Sequence, residues 1–222
     1  MPVLQSVNVG AVRRIRAKSG VTGIDKVPTS ARVAVLAPAP QGVGGSGLAG
    51  DVICDTKSHG GDDQAVYAFA REDLDWWESE LDRPLRSGMF GENVTTSGLD
   101  VTQARVGERW RIGDQVVLEV TGPRIPCVTF ATWMDVPGWL KSFTRRARPG
   151  AYLRVASAGS IGTGDPLVVD FRPDHGVTVG TMFRALTLER DLLPALLAAS
   201  DYLDEETIDR ARKREPYEID GV

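Results

Sequence analysis

Two cysteines are all that this chain of 222 residues contains, too few for a disulfide framework. It has no apolar run long enough to span a bilayer, and its first residues lack the charged, then apolar, then small pattern of a signal peptide. These absences predict a cytoplasmic protein whose Cys54 and Cys127 stay as thiols. Basic charge is not in excess either. With 26 Lys and Arg against 30 Asp and Glu, the net charge of -4 argues against a polynucleotide or an anionic membrane as partner. Also missing are a Gly-Lys-Ser/Thr phosphate loop, a Gly-x-Gly-x-x-Gly, a Cys-x-x-Cys, a His-Glu-x-x-His and a nucleophile elbow. A nucleotide site on the glycine-rich loop 37–50, an ordinary zinc site and a serine hydrolase are set aside on those grounds. What is present is ordinary globular composition, 42% apolar and 25% charged, sufficient for one full core.

Glycine–acid pairs punctuate short Val/Ile-rich runs: Gly50-Asp51 before VICDTKSHGG, Gly107-Glu108 before RWRI, Gly113-Asp114 before QVVLEVTG and Gly164-Asp165 before PLVVDF. Glycine accepts the positive φ of tight turns, so these pairs predict hairpins and many short strands, the pattern of a barrel or sandwich. One helix interrupts them at REDLDWWESEL, where Leu74, Trp77 and Leu81 recur at helical spacing and Glu72 and Asp73 suit the first turn. Beyond Arg172 the pattern turns helical. Val179, Met182, Phe183 and Leu186 mark one segment and Leu192, Leu193, Leu196 and Leu197 a second. Asp204 caps a third that ends in Arg210, Arg212 and Lys213. The expected division is therefore 1–172 and 173–222. The second piece, about 50 residues, is too small to stand alone and is expected to pack on the first or on a second copy, as in a homodimer.

Chemistry concentrates in four stretches. KSHGGDDQAVY places Lys57 and His59 before Gly60 and Gly61, where a sharp turn can present backbone N–H groups to an anion. GMFGENVT places Glu92 and Asn93 after a glycine turn, and TGIDKVP places Lys26 before a short loop ending in Pro28. In TGPRIPC, Arg124 stands three residues before Cys127, a neighbour that favours thiolate, and Pro123 and Pro126 stiffen the loop between them. From the residues alone Cys127 is either a small apolar residue at a strand end or a reactive thiol, and Cys54, in a strand-like run, reads as core.

In their order, TGIDKVP, GLAGDVICDTKSHGGDDQAVYAF, GMFGENVTTSGLDVTQARVGERWRIG, VTGPRIPC and GAYLRVASAGSIGTGD resemble the successive signature blocks of MOSC domains, the molybdenum cofactor sulfurase C-terminal module. The resemblance spans roughly Val7 to Phe171. The tail from Val177 resembles the three-helix extension of the bacterial branch that includes the hydroxylaminopurine resistance protein. It implies an α+β fold, mainly β: a MOSC-type β-barrel with flanking helices and a small C-terminal helical extension. It further implies a molybdenum cofactor of the molybdopterin form, ligated by Cys127, in a pocket surrounded by Lys26, His59, Asn93 and Arg124; such an anionic group needs cations and fixed donors, which Lys26, Lys57, Arg124 and the N–H groups of Gly60 and Gly61 can supply. The implied activity is molybdenum-dependent reduction of N-hydroxylated bases and related compounds. Cys127 is then the leading catalytic residue, and His59 or Glu92 supplies the proton. Two cysteines cannot hold a four-thiolate iron–sulfur cluster and no flavin or haem signature is present, so an external electron-donor reductase is expected as partner. The rival expectation is a carrier that hands over the cofactor, or sulfur as a Cys127 persulfide, without turnover. The aminotransferase-like domain of full-length cofactor sulfurases is absent from this sequence, so pyridoxal-phosphate chemistry is not implied.

Overall fold

The structure, a computed structural model, describes residues 1–16 and 20–219. Residues 17–19 and 220–222, the latter in the expected helical extension, lie outside that description. The chain opens with β1 (Val3–Gly10), a small hairpin of β2 (Arg13–Arg14) and β3 (Val21–Thr22), then β4 (Lys26–Thr29) and β5 (Val33–Val35). After a long irregular stretch, β6 (Val66–Ala70) runs straight into α1 (Arg71–Leu81), and β7 (Val94–Ser97) follows. The hairpin of β8 (Arg109–Ile112) and β9 (Val116–Pro123) leads to α2 (Val128–Met134) and α3 (Trp139–Arg146). The chain returns through β10 (Ala151–Ser157), β11 (Gly159–Ile161) and β12 (Leu167–Phe171). It closes with α4 (Val179–Thr187), a 3-10 stretch at Arg190–Tyr202 and α5 (Glu205–Lys213).

Eight strands form one mixed sheet in the order β12-β8-β9-β10-β6-β7-β1-β4, antiparallel except where β6 runs parallel to β7. The sheet curls until β1 meets the start of β12. Leu4 N–H donates to the Asp165 carbonyl (2.9 Å) and Leu167 N–H to the Pro2 carbonyl (3.0 Å), across a Val3–Pro166 bridge. The curl encloses a mainly aliphatic core that includes Leu4, Val7, Leu118 and Leu153, with Trp110 as its one aromatic member among the described buried residues. Alternation along β6 decides what lies on either side of the sheet. Val66, Ala68 and Ala70 enter that core, whereas Tyr67 and Phe69 face a second, aromatic one.

The aromatic core packs α1, α2 and α3 against the outer face of β6. Trp77 lies 4.6 Å from Trp139, and Phe130 5.3 Å from both Phe90 and Trp139, ring centroid to ring centroid. Each such pair is worth about 1 kcal/mol beyond its buried area. α2, only seven residues long, is thereby held by Phe130 and Met134, and its N-cap residue is Cys127. A third apolar cluster joins α4, the 3-10 stretch and α5 to Val106 and Ile125 beside the sheet.

The structure corrects several sequence expectations. VICDTKSHGG is not a strand: Gly60 and Gly61 both take positive φ, 78° and 82°, and that breaks an extended backbone. The segment is instead tied to the glycine-rich loop, through Gly42 N–H to the Thr56 carbonyl and Gly61 N–H to the Gly45 carbonyl. That loop is accordingly anchored along its length, whereas its composition reads as flexible. The short loop expected to end in Pro28 is strand: Lys26 begins β4, an edge strand, where Pro28 can face Asn8 without costing a ladder hydrogen bond. α2 and α3 are additional to the one helix expected before Arg172. The middle C-terminal segment is helical as expected, and with Pro194 inside it and a kink at Ala199 it takes the 3-10 form.

Candidate active site

A cavity of about 110 Å³ opens where β4, the 51–60 loop, β6, β10 and the turn into α2 converge. Lys26, His59, Gly60, Asn93, Arg124 and Cys127 line it; Lys57, Gly61 and Glu92 do not. Lys57 is exposed, and Gly61 caps the short 3-10 turn at Asp62–Gln64. Glu92 is fully buried and committed to structure: it accepts the N–H groups of Gly88 and Phe90 and the Thr95 hydroxyl (2.9 Å). Burial pushes its carboxyl above the usual range, against those hydrogen bonds.

Cys127 has the properties of a reactive thiol. Burial opposes its ionisation. A hydrogen bond with His59, the positive charge of Arg124 and the Phe130 N–H outweigh that opposition and bring the thiol down to about 6. The Arg124 guanidinium is 5% exposed; it donates to the Phe90 carbonyl and lies 4.0 Å over the Phe130 ring and 5.2 Å from the Tyr67 ring. Among the described residues it has no carboxylate partner, and its Nε has no hydrogen-bond partner at all. A buried cation with an unsatisfied donor is costly unless an anion completes it. Here the Cys127 thiolate and an anionic ligand are the available counter-charges.

Lys26 differs. Its ammonium is bound by both oxygens of Asp51, at 2.5 and 2.6 Å, and burial pulls its pKa below the ordinary value despite that pairing. Asp51 also accepts the Gly10 N–H (2.7 Å) and the Asn93 side-chain amide (2.8 Å), and Asn93 Oδ1 accepts the Tyr67 N–H (3.1 Å). The Lys26 part of the cavity is therefore a neutralised, cross-linked polar network, whereas Arg124 has no carboxylate partner among the described residues and acts on Cys127. Gly60 lies where a Cβ would come within 2.8 Å of the Gly45 carbonyl oxygen, so only glycine lets the loop close at this wall.

Sequence reasoning missed Asp51, taken as half of a turn pair, and the hydroxyl-bearing wall of Tyr67 and Tyr152. It also placed Cys54 in the core; Cys54 in fact lines the same cavity, half-buried, with its thiol pushed up by burial. Among the described residues no group of three or more His, Cys, Asp or Glu side chains is placed to hold a metal ion by itself.

Residues 55–168, which include His59, Asn93, Arg124 and Cys127 of this cavity, match the MOSC domain. The chain belongs to the MOSC domain family. YflK of Bacillus subtilis (strain 168) is 31% identical over 176 residues, 78% of this chain and 76% of YflK. A protein of Gibberella moniliformis (strain M3125 / FGSC 7600) named as a reductase is 31% identical over 167 residues, 73% of this chain but 29% of that protein. The crystal structure of YiiM from Geobacillus stearothermophilus superposes with a TM-score of 0.77 at 27% identity, covering 96% of this chain and 99% of that one. That match runs through the C-terminal helices and fits the bacterial branch that the sequence resembles. No helix among the described residues of this MOSC protein is long and apolar enough to cross a membrane.

Proposed function

We propose that this MOSC protein is a reductase of N-hydroxylated bases and related N-hydroxylated compounds. It uses a molybdenum cofactor ligated by Cys127 and electrons from a separate donor reductase in the cytoplasm. The observation that carries the proposal is the Cys127 thiol, brought down to about 6 in the same cavity as a buried Arg124 whose Nε has no hydrogen-bond partner among the described residues. The donor set fits the metal-bearing end of such a group: one thiolate, one buried guanidinium with a free Nε, and a glycine wall. The cavity's rim is open at exposed Val21 and Asp55, where a larger organic portion can extend. The family and a relative named as a reductase support the same reading.

When bound, the cofactor supplies the two electrons that, with two protons, convert an N-hydroxyl group to an N–H group and water. The chain's own residues do the rest. Cys127 Sγ is held in its ligating, deprotonated form by His59 and Arg124. His59, hydrogen-bonded to that sulfur, is the protonatable group on the cavity wall that delivers a proton to the departing oxygen. Glu92, off the wall and triply bonded, has no part in that step. Tyr67, buried, and Tyr152, half-buried, both have their phenols pushed up by desolvation, stay neutral and shape the cavity.

The deciding experiment measures molybdenum and pterin in protein purified from a molybdenum-replete host, wild type beside Cys127→Ala. Reduction of hydroxylaminopurine with a supplied electron donor is assayed on the same samples. Both groups co-purifying with wild type, molybdenum falling in the variant and turnover requiring Cys127 are the expected results. Cofactor that transfers to an acceptor without turnover makes the protein a carrier; absence of both groups after reconstitution sinks the cofactor reading.

A further inference from the structure

Beside the Cys127 cavity lies a second and larger one, of about 230 Å³, between the sheet and the C-terminal helices. The two share His59, Gln64 and Tyr152 as a common wall. Strands β9 and β10 form one side of it. The other side comes from the helical extension: Met182 and Leu186 of α4, Tyr202 at the end of the 3-10 stretch, and Tyr217 beyond α5. These side chains are held in place. A Cβ on Gly107 would collide with the Tyr202 ring at 2.3 Å, so the ring rests on bare backbone. Tyr217 is tied down by its N–H to the Leu186 carbonyl (2.7 Å) and carries the Arg210 guanidinium 3.9 Å over its ring.

The polar groups at this cavity are of both kinds, and two lack partners. Gln64 Oε1, an acceptor, and Arg154 Nε, a donor, are buried without a hydrogen bond. Asp63 adds a carboxylate, paired to Arg154 at 2.6 Å. A ligand in this cavity with both a donor and an acceptor would complete the two atoms that face it. The volume falls below the ~300–1,000 Å³ of sites for drug-sized ligands, which suits one small ring system. Tyrosine faces with a few placed donors and acceptors are the chemistry that recognises a flat nitrogen heterocycle. Asp63 and Asp204, both on the wall and close enough to interact, disfavour a phosphate.

We propose that this second cavity is the substrate chamber of the protein. It takes an unphosphorylated heterocycle of nucleobase size and presents its exocyclic nitrogen to His59, with the C-terminal helices forming the selective wall. This assignment rests on the reductase reading for its chemistry and on the shared His59 wall for its position. It also gives the helical extension a part in specificity. Gln64 and Asp63 accept N–H groups from the heterocycle, and Arg154 donates to a ring nitrogen.

Adenine, the product of hydroxylaminopurine reduction, is the probe, titrated calorimetrically into the full-length protein. One-to-one binding is expected, at least tenfold weaker for adenosine monophosphate, and unchanged in Cys127→Ala. Gln64→Leu and Tyr202→Ala, each checked for an unaltered far-ultraviolet dichroism spectrum, are expected to weaken adenine at least fivefold. Gln64→Glu, which keeps the acceptor, restores most of the affinity. No adenine binding, binding indifferent to both Gln64→Leu and Tyr202→Ala, or binding lost in Cys127→Ala would overturn the assignment. The molybdenum content of wild type and Cys127→Ala is independent of these titrations. The chamber can therefore fail with the reductase reading intact, and the reverse.

Discussion

Asp51 closes on Lys26 with both carboxylate oxygens, and the two side chains, 0% and 7% exposed, form an ion pair withdrawn from water. Such a pair is weak evidence of stability as a unit, but removing one member strands the other charge, at about 3–5 kcal/mol. Asp51→Ala also releases the Gly10 N–H and the Asn93 amide. Urea unfolding of this variant should lose stability of that order, and Lys26→Met combined with Asp51→Leu should recover part of it. A loss below about 1 kcal/mol in Asp51→Ala, the size expected of a surface pair, would show that the pair is not buried in solution.

The two thiols of the cavity should titrate apart. Cys127, at about 6, is thiolate above that pH and protonated below it, so its alkylation by iodoacetamide should rise through a midpoint near pH 6. Cys54, whose thiol is pushed up by burial, should label far more slowly at pH 7. His59→Ala and Arg124→Leu each remove a group that favours the thiolate, and should move the Cys127 midpoint toward the ordinary value of about 8.5. Peptide mass spectrometry of labelling against pH reads both sites at once. Equal labelling of Cys54 and Cys127 at pH 7 would contradict this account.

Glu92 is a test of structure against chemistry. Glu92→Ala leaves two buried N–H groups and the Thr95 hydroxyl without their acceptor, a cost of about 3 kcal/mol. The Cys127 alkylation midpoint of the folded variant should stay where it is in wild type. A stable variant with a displaced midpoint would instead return Glu92 to the reactive site.

Asp204 holds the start of α5 by accepting the Thr207 N–H (2.7 Å) and the Thr207 hydroxyl (3.0 Å). Asp204→Ala should cost about 1 kcal/mol. If α5 opens as a local unit, hydrogen exchange should accelerate roughly fivefold in its amides and leave those of β9 and β10 unchanged. Uniform acceleration over the whole chain would mean that the helices and the sheet unfold together.

Several elements were legible from local pattern alone. α1 runs over Arg71–Leu81, the span of its helical periodicity, because Leu74 and Trp77 bury on one face and Glu72 and Asp73 favour its N-terminus. The β8–β9 hairpin follows from Gly113, which takes the positive φ of 58° that its turn requires. α2 and α3 were not legible, since VTFATWM is rich in the branched and aromatic residues that also suit strands, and its helix is held by aromatic contacts distant in sequence. The cavity residues stand on separate elements from Lys26 to Tyr152, and no local signal marks Tyr67 or Tyr152 as its walls or Asp51 as the partner of Lys26 behind them.

By itself the sequence determined α1, the β8–β9 hairpin and the helical character of the C-terminal segment, through periodicity, glycine turns and caps, and through its ordered blocks the family. The tertiary structure alone decided which charges are free. Lys26 is neutralised by Asp51, 25 positions away, whereas Arg124, equally buried, meets no carboxylate among the described residues but a carbonyl, two aromatic rings and the Cys127 thiol. A cation in the sequence carries no mark of its counter-ion. Pairing depends on which strands the sheet brings together and how deeply packing withdraws the pair from water, and both are long-range outcomes of folding.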